Sequence, residues 1–328
     1  MDPNETSQHH PVLAREVIAL LDPRPGAVCV DCTVGLGGHA ALLAERVGPG
    51  GIVIGMDVDP RNLAIAKERL ADAPADIRLF EGNFALLPDA LRQAGVEHVD
   101  ALLADLGFSS NQMADPARGL SFDSDGPLDM RLDPSLQQTA ADLVNDLPVD
   151  ELANVLYRYG EERLSRKIAR KIDEARQQTP ILDCKSLAAL VRRAYPPRSP
   201  RNPRNPRNPR SPRKSQGKAQ GKIDPATRTF MALRIAVNGE LEALEQLLGH
   251  LPTVLGPGGR AAIISFHSLE DRLVKQALVR FDRDGVAKRI TRKPVVAEAG
   301  EQRDNPRSRS AKLRVMQRLA SSATDAEA

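Results

Sequence analysis

The strongest constraint on the fold is an apolar run that stops at a carboxylate and turns through glycines into a helical pattern. Ala27 to Thr33 reads as a strand, Asp31-Cys-Thr-Val-Gly35-Leu-Gly37-Gly38-His39 carries the turn, and His39 to Val47 has helical spacing. The unit then repeats. Gly51 to Asp57 reads as a second strand, Ile77 to Glu81 as a third and Val99 to Asp105 as a fourth, with a helix over Pro60 to Ala71. Asp59-Pro60 suits that helix's start, an N-cap acid followed by a proline in the first turn. Apolar runs alternating with helical patterns predict an α/β fold, a mostly parallel sheet covered by helices.

After Asp105 the pattern changes. Residues 107–134 are rich in Gly, Ser, Asp and Pro and read as a long ordered loop, a feature that in compact domains is usually functional. Helices alone are expected next, over Thr139 to Asn145, Val149 to Tyr157, Glu161 to Gln177 and Ser186 to Arg193. From Arg198 to Arg213 the chain repeats Arg-Asn-Pro. Proline at every third position forbids a helix or a sheet interior, so this segment is expected to be extended and cationic. An RNA-contacting arm and an expanded linker both fit it. The α/β pattern resumes with a long helix within Pro225 to Leu251, a turn and fifth strand over Gly258 to Ser265, a helix over Leu269 to Arg283, and strands over Lys288 to Arg292 and Lys312 to Arg318. The expected division is one α/β domain in two parts, residues 1–112 and 223–328. A helical insertion over 113–222 follows strand four and ends in the Arg-Asn-Pro linker.

Several classes are excluded. No stretch approaches the roughly 18 apolar residues of a membrane span, and the polar N-terminus has no signal-peptide core, which points to the cytoplasm. Cys29 and Cys32 have C-x-x-C spacing, but residues three apart on a strand face opposite sides. No second ligand pair follows, so they are read as core residues. The net charge of +3 is local: residues 198–222 hold six arginines, three lysines and no acid, leaving the remainder net negative. Such an excess suits an arm that meets phosphate.

Gly35, Gly37 and Ala40 fit G-x-G-x-x-A, which alone is a weak dinucleotide signal. Asp31 shifts the balance. A carboxylate at the end of strand one would repel a pyrophosphate and favour the ammonium of a methionine moiety, so the pattern suits S-adenosylmethionine better than NAD. Asp57 ends strand two, 22 residues after Gly35, where an acid accepts from ribose hydroxyls. Phe84, with Asn83, follows strand three and can flank an adenine. Asp105 ends strand four at the rim that faces a reacting methyl. All four positions lie at carboxyl ends of strands, where open α/β sheets bind ligands. His39 is either part of this site or a plain first-turn helix residue.

Beyond the glycine turn, several blocks follow in order. They are His9-His-Pro-Val-Leu13, Asp105-Leu-Gly-Phe-Ser-Ser-Asn-Gln112, Arg118-Gly-Leu-Ser-Phe-Asp-Ser-Asp-Gly-Pro-Leu-Asp-Met-Arg131 and Tyr159-Gly-Glu-Glu-Arg163. Then come Ala226-Thr-Arg-Thr-Phe-Met-Ala-Leu-Arg-Ile235, Ser265-Phe-His-Ser-Leu-Glu-Asp-Arg272 and Asn305-Pro-Arg-Ser-Arg-Ser-Ala-Lys-Leu-Arg314. With these the chain resembles the bacterial ribosomal RNA small subunit methyltransferase H family, the 16S rRNA cytosine-N4 methyltransferases. The resemblance implies a Rossmann-like S-adenosylmethionine-dependent fold with a seven-stranded sheet. It also implies cofactor contacts from Gly37, Gly38, His39, Asp57, Phe84, Asp105 and Gln112, methylation of a cytidine in the decoding region of the small ribosomal subunit, and a helical insertion that helps bind RNA. The chain departs from the family at Asn111-Gln112-Met113-Ala114 and at Gly119-Leu-Ser-Phe122, and the Arg-Asn-Pro repeat is no part of its pattern.

Cytosine N4 is a poor nucleophile, because its lone pair is delocalised into the ring. Asp105 is the candidate acceptor that would help the amino group pyramidalise. Enzymes that modify a base hold it extruded from its stack. With no Trp and three Tyr in the chain, Phe108 is a candidate stacking face, or else a core residue. Amino-methyltransferases commonly carry Asp/Asn/Ser-Pro-Pro-aromatic after strand four; Asp105-Leu-Gly-Phe108 keeps the acid and the aromatic only. His267 is read as a turn histidine before a proton relay, and Asp123, Asp125, Asp129 and Asp133 as turn formers before a cation site, so no metal is expected. Phosphate contacts are expected among Arg118, Arg131, Arg228, Arg234, Arg307 and Arg309, unless these serve in structural ion pairs. A methyltransferase with another substrate, a non-enzymatic RNA binder and an NAD-dependent oxidoreductase stay open as rivals; Asp31 opposes the last. Monomer and dimer both remain open.

Overall fold

A computed structural model describes residues 11–196 and 224–320. His9, His10 and the Arg-Asn-Pro repeat lie outside the described residues. The chain forms two compact units, one from residues 1–109 and 239–328 and one from residues 110–238.

The first unit opens with helix α1 (Ala14–Leu21), which the sequence reading did not anticipate. It continues through β1 (Val28–Asp31), α2 (Gly38–Val47), β2 (Ile52–Asp57), α3 (Pro60–Arg69), β3 (Asp76–Glu81), α4 (Leu87–Gln93) and β4 (Val99–Asp105). The second unit holds α5 (Ser110–Ala114), α6 (Ala140–Asp146), α7 (Val149–Gly160), α8 (Ser165–Arg176), α9 (Cys184–Ala194) and α10 (Ala226–Asn238). The first unit then closes with α11 (Glu240–Val254), β5 (Leu255–Ser265), α12 (Ser268–Arg283), β6 (Ala287–Arg289), α13 (Ala299–Asp304) and β7 (Lys312–Arg318).

The sheet has seven strands in the order β3-β2-β1-β4-β5-β7-β6. Strands β1 to β5 run parallel, and β7 is antiparallel to both of its neighbours, β5 and β6. This is the mostly parallel, doubly wound sheet that the alternating pattern predicts. The order reverses between β1 and β4, so their carboxyl ends flank the crevice where such sheets bind ligands. Period-2 alternation sends side chains to two cores. Val30, Ile54, Leu102 and Ile263 pack with α4, α11 and α12 on one face. Cys29, Val53, Leu103 and Ile264 pack with α1 and α2 on the other. Cys29 and Cys32 therefore end up in different cores, both buried as free thiols, as the strand argument requires. Burial pushes the Cys29 thiol up to about 12, with Asp100 adding to the shift.

The expected single long helix within Pro225 to Leu251 is two helices. Gly239 takes a left-handed φ of +58° between α10 and α11, and the division between units falls there. The sequence reading placed α10 with the α/β domain, drawing boundaries at 112/113 and 222/223, whereas the compact units divide at 109/110 and 238/239. The packing explains the difference. Gly160, at the end of α7, lets α10 come so close that a Cβ there would lie 2.7 Å from the Arg228 carbonyl oxygen and 3.2 Å from the Ala232 Cβ. Phe230, Leu233 and Val237 of α10 share one core with Leu152 and Leu156 of α7 and with Ile168 and Ile172 of α8.

From Ser110 on, the segment expected as a loop over 107–134 belongs to the second unit and includes α5 and a 3-10 turn at Pro116–Arg118. Gly119 has φ +62°, and a Cβ there would fall 2.1 Å from the Pro127 carbonyl oxygen. Cys184 sits beneath, its thiol 3.3 Å from the Gly119 carbonyl oxygen. The four acids of this region are engaged locally. Asp123 pairs with Arg192, Asp125 with Lys185 and Asp129 with Arg131, while Asp133 accepts from the Ser135 amide.

Overpacking a backbone crossing costs about 1–3 kcal/mol. Gly160→Ala should therefore lower the unfolding free energy of the helical unit by that amount. Denaturant titration followed by far-UV dichroism checks this; an unchanged midpoint would contradict the close crossing of α7 and α10.

Candidate functional site

The site is built at the carboxyl ends of β1, β2 and β4. Asp31 closes β1 and is fully buried. Its Oδ1 accepts from the Thr33 amide at 3.1 Å and from the Thr33 hydroxyl at 3.5 Å. The same hydroxyl accepts from the Asp105 amide at 2.7 Å, tying the ends of β1 and β4 together. Asp31 Oδ2 and Asp105 Oδ1 are buried and have no hydrogen-bond partner among the described residues. Burial pushes the Asp31 carboxyl up to about 7, against the Thr33 bonds and with help from Asp57. Burial likewise raises Asp105 to about 7; Arg307 works against the shift, and Asp31 and Glu270 add to it. The Asp105 side chain keeps 23% exposure, although Oδ1 itself is buried.

The glycine turn wraps this pair. Gly35 and Gly37 take φ values of +52° and +79°, which only glycine adopts without strain. Gly37 packs on Ala66 and Leu70, and Gly38 lies against Pro11, where a Cβ would come within 3.3 Å. His39 is buried in the first turn of α2, with Nε2 3.7 Å from Asp105 Oδ2. Gly37, the residue before α2, offers no side-chain cap, so the helix presents its N-terminal amides uncapped by any side chain.

Asp57 at the end of β2 has a structural task of its own. It accepts from the Gly35 amide at 2.9 Å, from the Asp59 amide at 2.8 Å, and from Asn62 Nδ2 at 3.2 and 3.3 Å. A carboxylate offers about four acceptor positions. Asp57 therefore braces the glycine turn, and a ribose hydroxyl would have to share these positions. Burial raises its carboxyl to about 6 despite these bonds. Phe84 opens a short 3-10 turn after β3, with Asn83 as its cap, and is half-buried against the α4 and α11 core.

Asp31, Gly35, Gly37, Gly38, His39, Asp57, Phe84, Asp105 and Phe108 all fall in the α/β unit. Gln112 belongs to the helical unit, where it is buried in α5. Phe108 is half-buried, and its carbonyl oxygen accepts from Arg307 Nη2. Thr33 and Asn62 were missed as site residues by the sequence reading, and Arg307, read there as a phosphate contact, meets the Phe108 carbonyl oxygen. Asn62 lies one turn past the N-cap Asp59 and was open to notice. The contact of Arg307 with Phe108 spans 199 positions, and no local pattern announces it.

Other candidates have structural roles. His267 caps α12, its Nδ1 3.4 Å from the Glu270 amide, and Glu270 Oε2 accepts from the Phe266 amide at 2.8 Å. Glu240 lies close enough to His267 and Glu270 for one atom of each to fall within 4.8 Å of the others. The reciprocal cap already accounts for the His267–Glu270 pair. Arg118 is buried and donates to the carbonyls of Arg131 and Leu132, so it holds the loop rather than a phosphate. Among the described residues no helix is long and apolar enough to cross a membrane.

Two buried carboxylate oxygens without partners suit a cationic donor group, and the glycine turn leaves room for backbone to approach a ligand. This donor set fits the ammonium of a methionine moiety beside an adenosine. Comparisons with known proteins agree. A family model described as the MraW methylase family matches residues 6–319. A Sorangium cellulosum protein named Ribosomal RNA small subunit methyltransferase H is 47% identical over 95% of this chain and 91% of its own. One of the same name from Deinococcus radiodurans is 46% identical over 96% of this chain and 91% of its own.

Charging a buried carboxyl whose folded pKa is raised from 3.8 to about 7 costs stability as pH rises through that window, and the full stability is present below it. Asp31→Asn removes that cost. The variant should gain on the wild type between pH 4 and pH 7, reaching on the order of 2–4 kcal/mol above pH 7. Thermal midpoints across this range measure it. A pH-independent difference would show that Asp31 does not titrate there.

Proposed function

The chain belongs to the MraW methylase family, and on that premise we propose that it transfers a methyl group from S-adenosylmethionine to the exocyclic N4 of a cytidine. We propose further that this cytidine lies in the decoding, P-site region of 16S rRNA in the small ribosomal subunit, and that the reaction takes place in the cytoplasm. The observation that carries the reading is the pair of partnerless buried oxygens, Asp31 Oδ2 and Asp105 Oδ1, on adjacent strand ends beside a glycine turn. Support for the RNA substrate comes from the relatives' name, ribosomal RNA small subunit methyltransferase H, and support for cytidine N4 from the sequence blocks that resemble that family.

The cofactor supplies an already activated methyl group on a sulfonium leaving group. The protein's part is alignment and electrostatics. Asp31 offers an unpaired acceptor for the ammonium of the methionine moiety. Gly35, Gly37 and Gly38 let the backbone pass close to the ligand, held in shape by Asp57. Phe84 offers an apolar face after β3 for the adenine, and Gln112 is the further cofactor contact that the family resemblance implies. His39, buried beside Asp105, limits how that carboxylate can turn. Asp105 accepts a hydrogen bond from the target amino group, which moves electron density toward N4 and leaves a place for the departing proton. Its raised pKa suits that exchange near neutral pH. Phe108, three positions on, stacks on the extruded base.

Asp105→Ala should lower single-turnover methyl transfer to small-subunit rRNA by about 10²–10⁴-fold at saturating cofactor. Near-normal transfer under those conditions would remove Asp105 from the chemistry. Nucleoside analysis of small-subunit rRNA from cells with and without the gene tests the product. An unchanged N4-methylcytidine level would defeat the cytidine assignment.

A further inference from the structure

Helix α8 carries charges in a pattern that does not serve the helix itself. Arg163, just before it, and Arg166, Lys167, Arg170 and Lys171 within it recur at i, i+3, i+4, i+7 and i+8. That spacing places the four helical cations on one face, with Arg163 in the turn that leads into it. The opposite face, Ser165, Ile168, Ala169 and Ile172, is buried in the core of the helical unit. Among the described residues none of the five cations makes an ion pair; Arg170 only donates back to the Arg166 carbonyl at 3.3 Å. Glu174 continues the face one turn on, and Asp173 is taken by Arg176.

The arrangement costs the helix stability in two ways. Like charges at i, i+4 repel, as do Arg166 with Arg170 and Lys167 with Lys171. Cations in the first turn oppose the helix dipole, and α8 has neither an acid in that turn nor a side-chain cap. A local rule broken without local gain points to use elsewhere. The neighbouring corner adds a second signal. Tyr157, near the end of α7, is 63% exposed, the highest exposure among the large apolar or aromatic side chains of the described residues. The Arg158 guanidinium beside it stacks on the Tyr159 ring at 5.2 Å.

We propose that the Arg163–Lys171 face of α8, with Tyr157 at its head, is a docking surface for the sugar-phosphate backbone of RNA. From Arg166 to Lys171 the stripe is about 7.5 Å long at 1.5 Å per residue, and it offers regularly spaced, unpaired cations to successive phosphates. An exposed aromatic six positions before Arg163 gives an unstacked base a face to lie on, which favours RNA over an acidic protein. This rests on the reading of the chain as an rRNA methyltransferase and assigns that substrate a second, backbone-reading contact in the helical unit.

The test uses the full-length protein and a small-subunit rRNA transcript. The triple variant Arg166→Gln/Lys167→Gln/Arg170→Gln should bind the transcript about tenfold more weakly near 0.1 M salt. Its slope of log affinity against log salt should be shallower by about 2, the counterion release of three contacts. Binding of S-adenosylmethionine, read by calorimetry, should be unchanged. The thermal midpoint should hold or rise as repulsion is relieved, which separates a lost contact from a lost fold. Arg166→Lys/Arg170→Lys should keep the wild-type slope. An unchanged slope in the triple variant overturns the proposal, as does polyglutamate competing with the transcript as well as RNA of equal charge. Wild-type protein that binds with the full slope but transfers no methyl group would sink the functional reading and leave the docking surface standing.

Discussion

One hydroxyl holds the centre of the site together. Thr33 donates to Asp31 and accepts from the Asp105 amide, so the ends of two parallel strands are fixed relative to each other at hydrogen-bond precision. Around that link the structure keeps two carboxylate oxygens in the interior without partners, a state that burial makes costly. The cost is tolerable because the surrounding sheet is rigid: Val30, Leu102 and Ile263 on one face and Cys29, Leu103 and Ile264 on the other are all buried. A ligand bringing a cationic donor recovers what folding spends there. Binding and stability thus draw on the same two oxygens.

The scaffold was legible because its signals are local. Alternation of apolar residues, Asp59-Pro60 at a helix start and glycines after β1 each act over a few positions. The positions of Asp31, Asp57 and Asp105 at strand ends follow from them. What was not legible depends on distant packing. Gly239 breaks a pattern that reads as one helix, and only the pressure of α10 on Gly160 shows to which unit the first half belongs. The bracing of Asp57 by Asn62, and the contact of Arg307 with Phe108, arise from tertiary approach. Arg118 shows the same limit in reverse, since a basic residue in a loop rich in turn formers proved to be buried support.

Charge is handled in two ways. At the strand ends of the α/β unit, Asp31, Asp57 and Asp105 are drawn inside, and their proton affinities move toward neutrality. Elsewhere, acids at caps or in pairs favour the ionised form, as with Asp129, Asp142 and Asp183 in the helical unit and Asp271 in the α/β unit. The first arrangement suits chemistry on a small ligand, and beside the second Arg166, Lys167, Arg170 and Lys171 of α8 have no acid partner among the described residues.

The three cysteines have a consequence of their own. Cys29 and Cys32 are sealed in opposite cores of the sheet, and Cys184 lies in the helical unit with its thiol raised to about 11 by burial. Thiolate is the reactive form, so none of them meets an alkylating reagent until its surroundings open. The chain thus carries built-in clocks for each unit separately. The labelling rate of Cys184 follows the breathing of the helices, and those of Cys29 and Cys32 follow the parting of the sheet from its two helical layers.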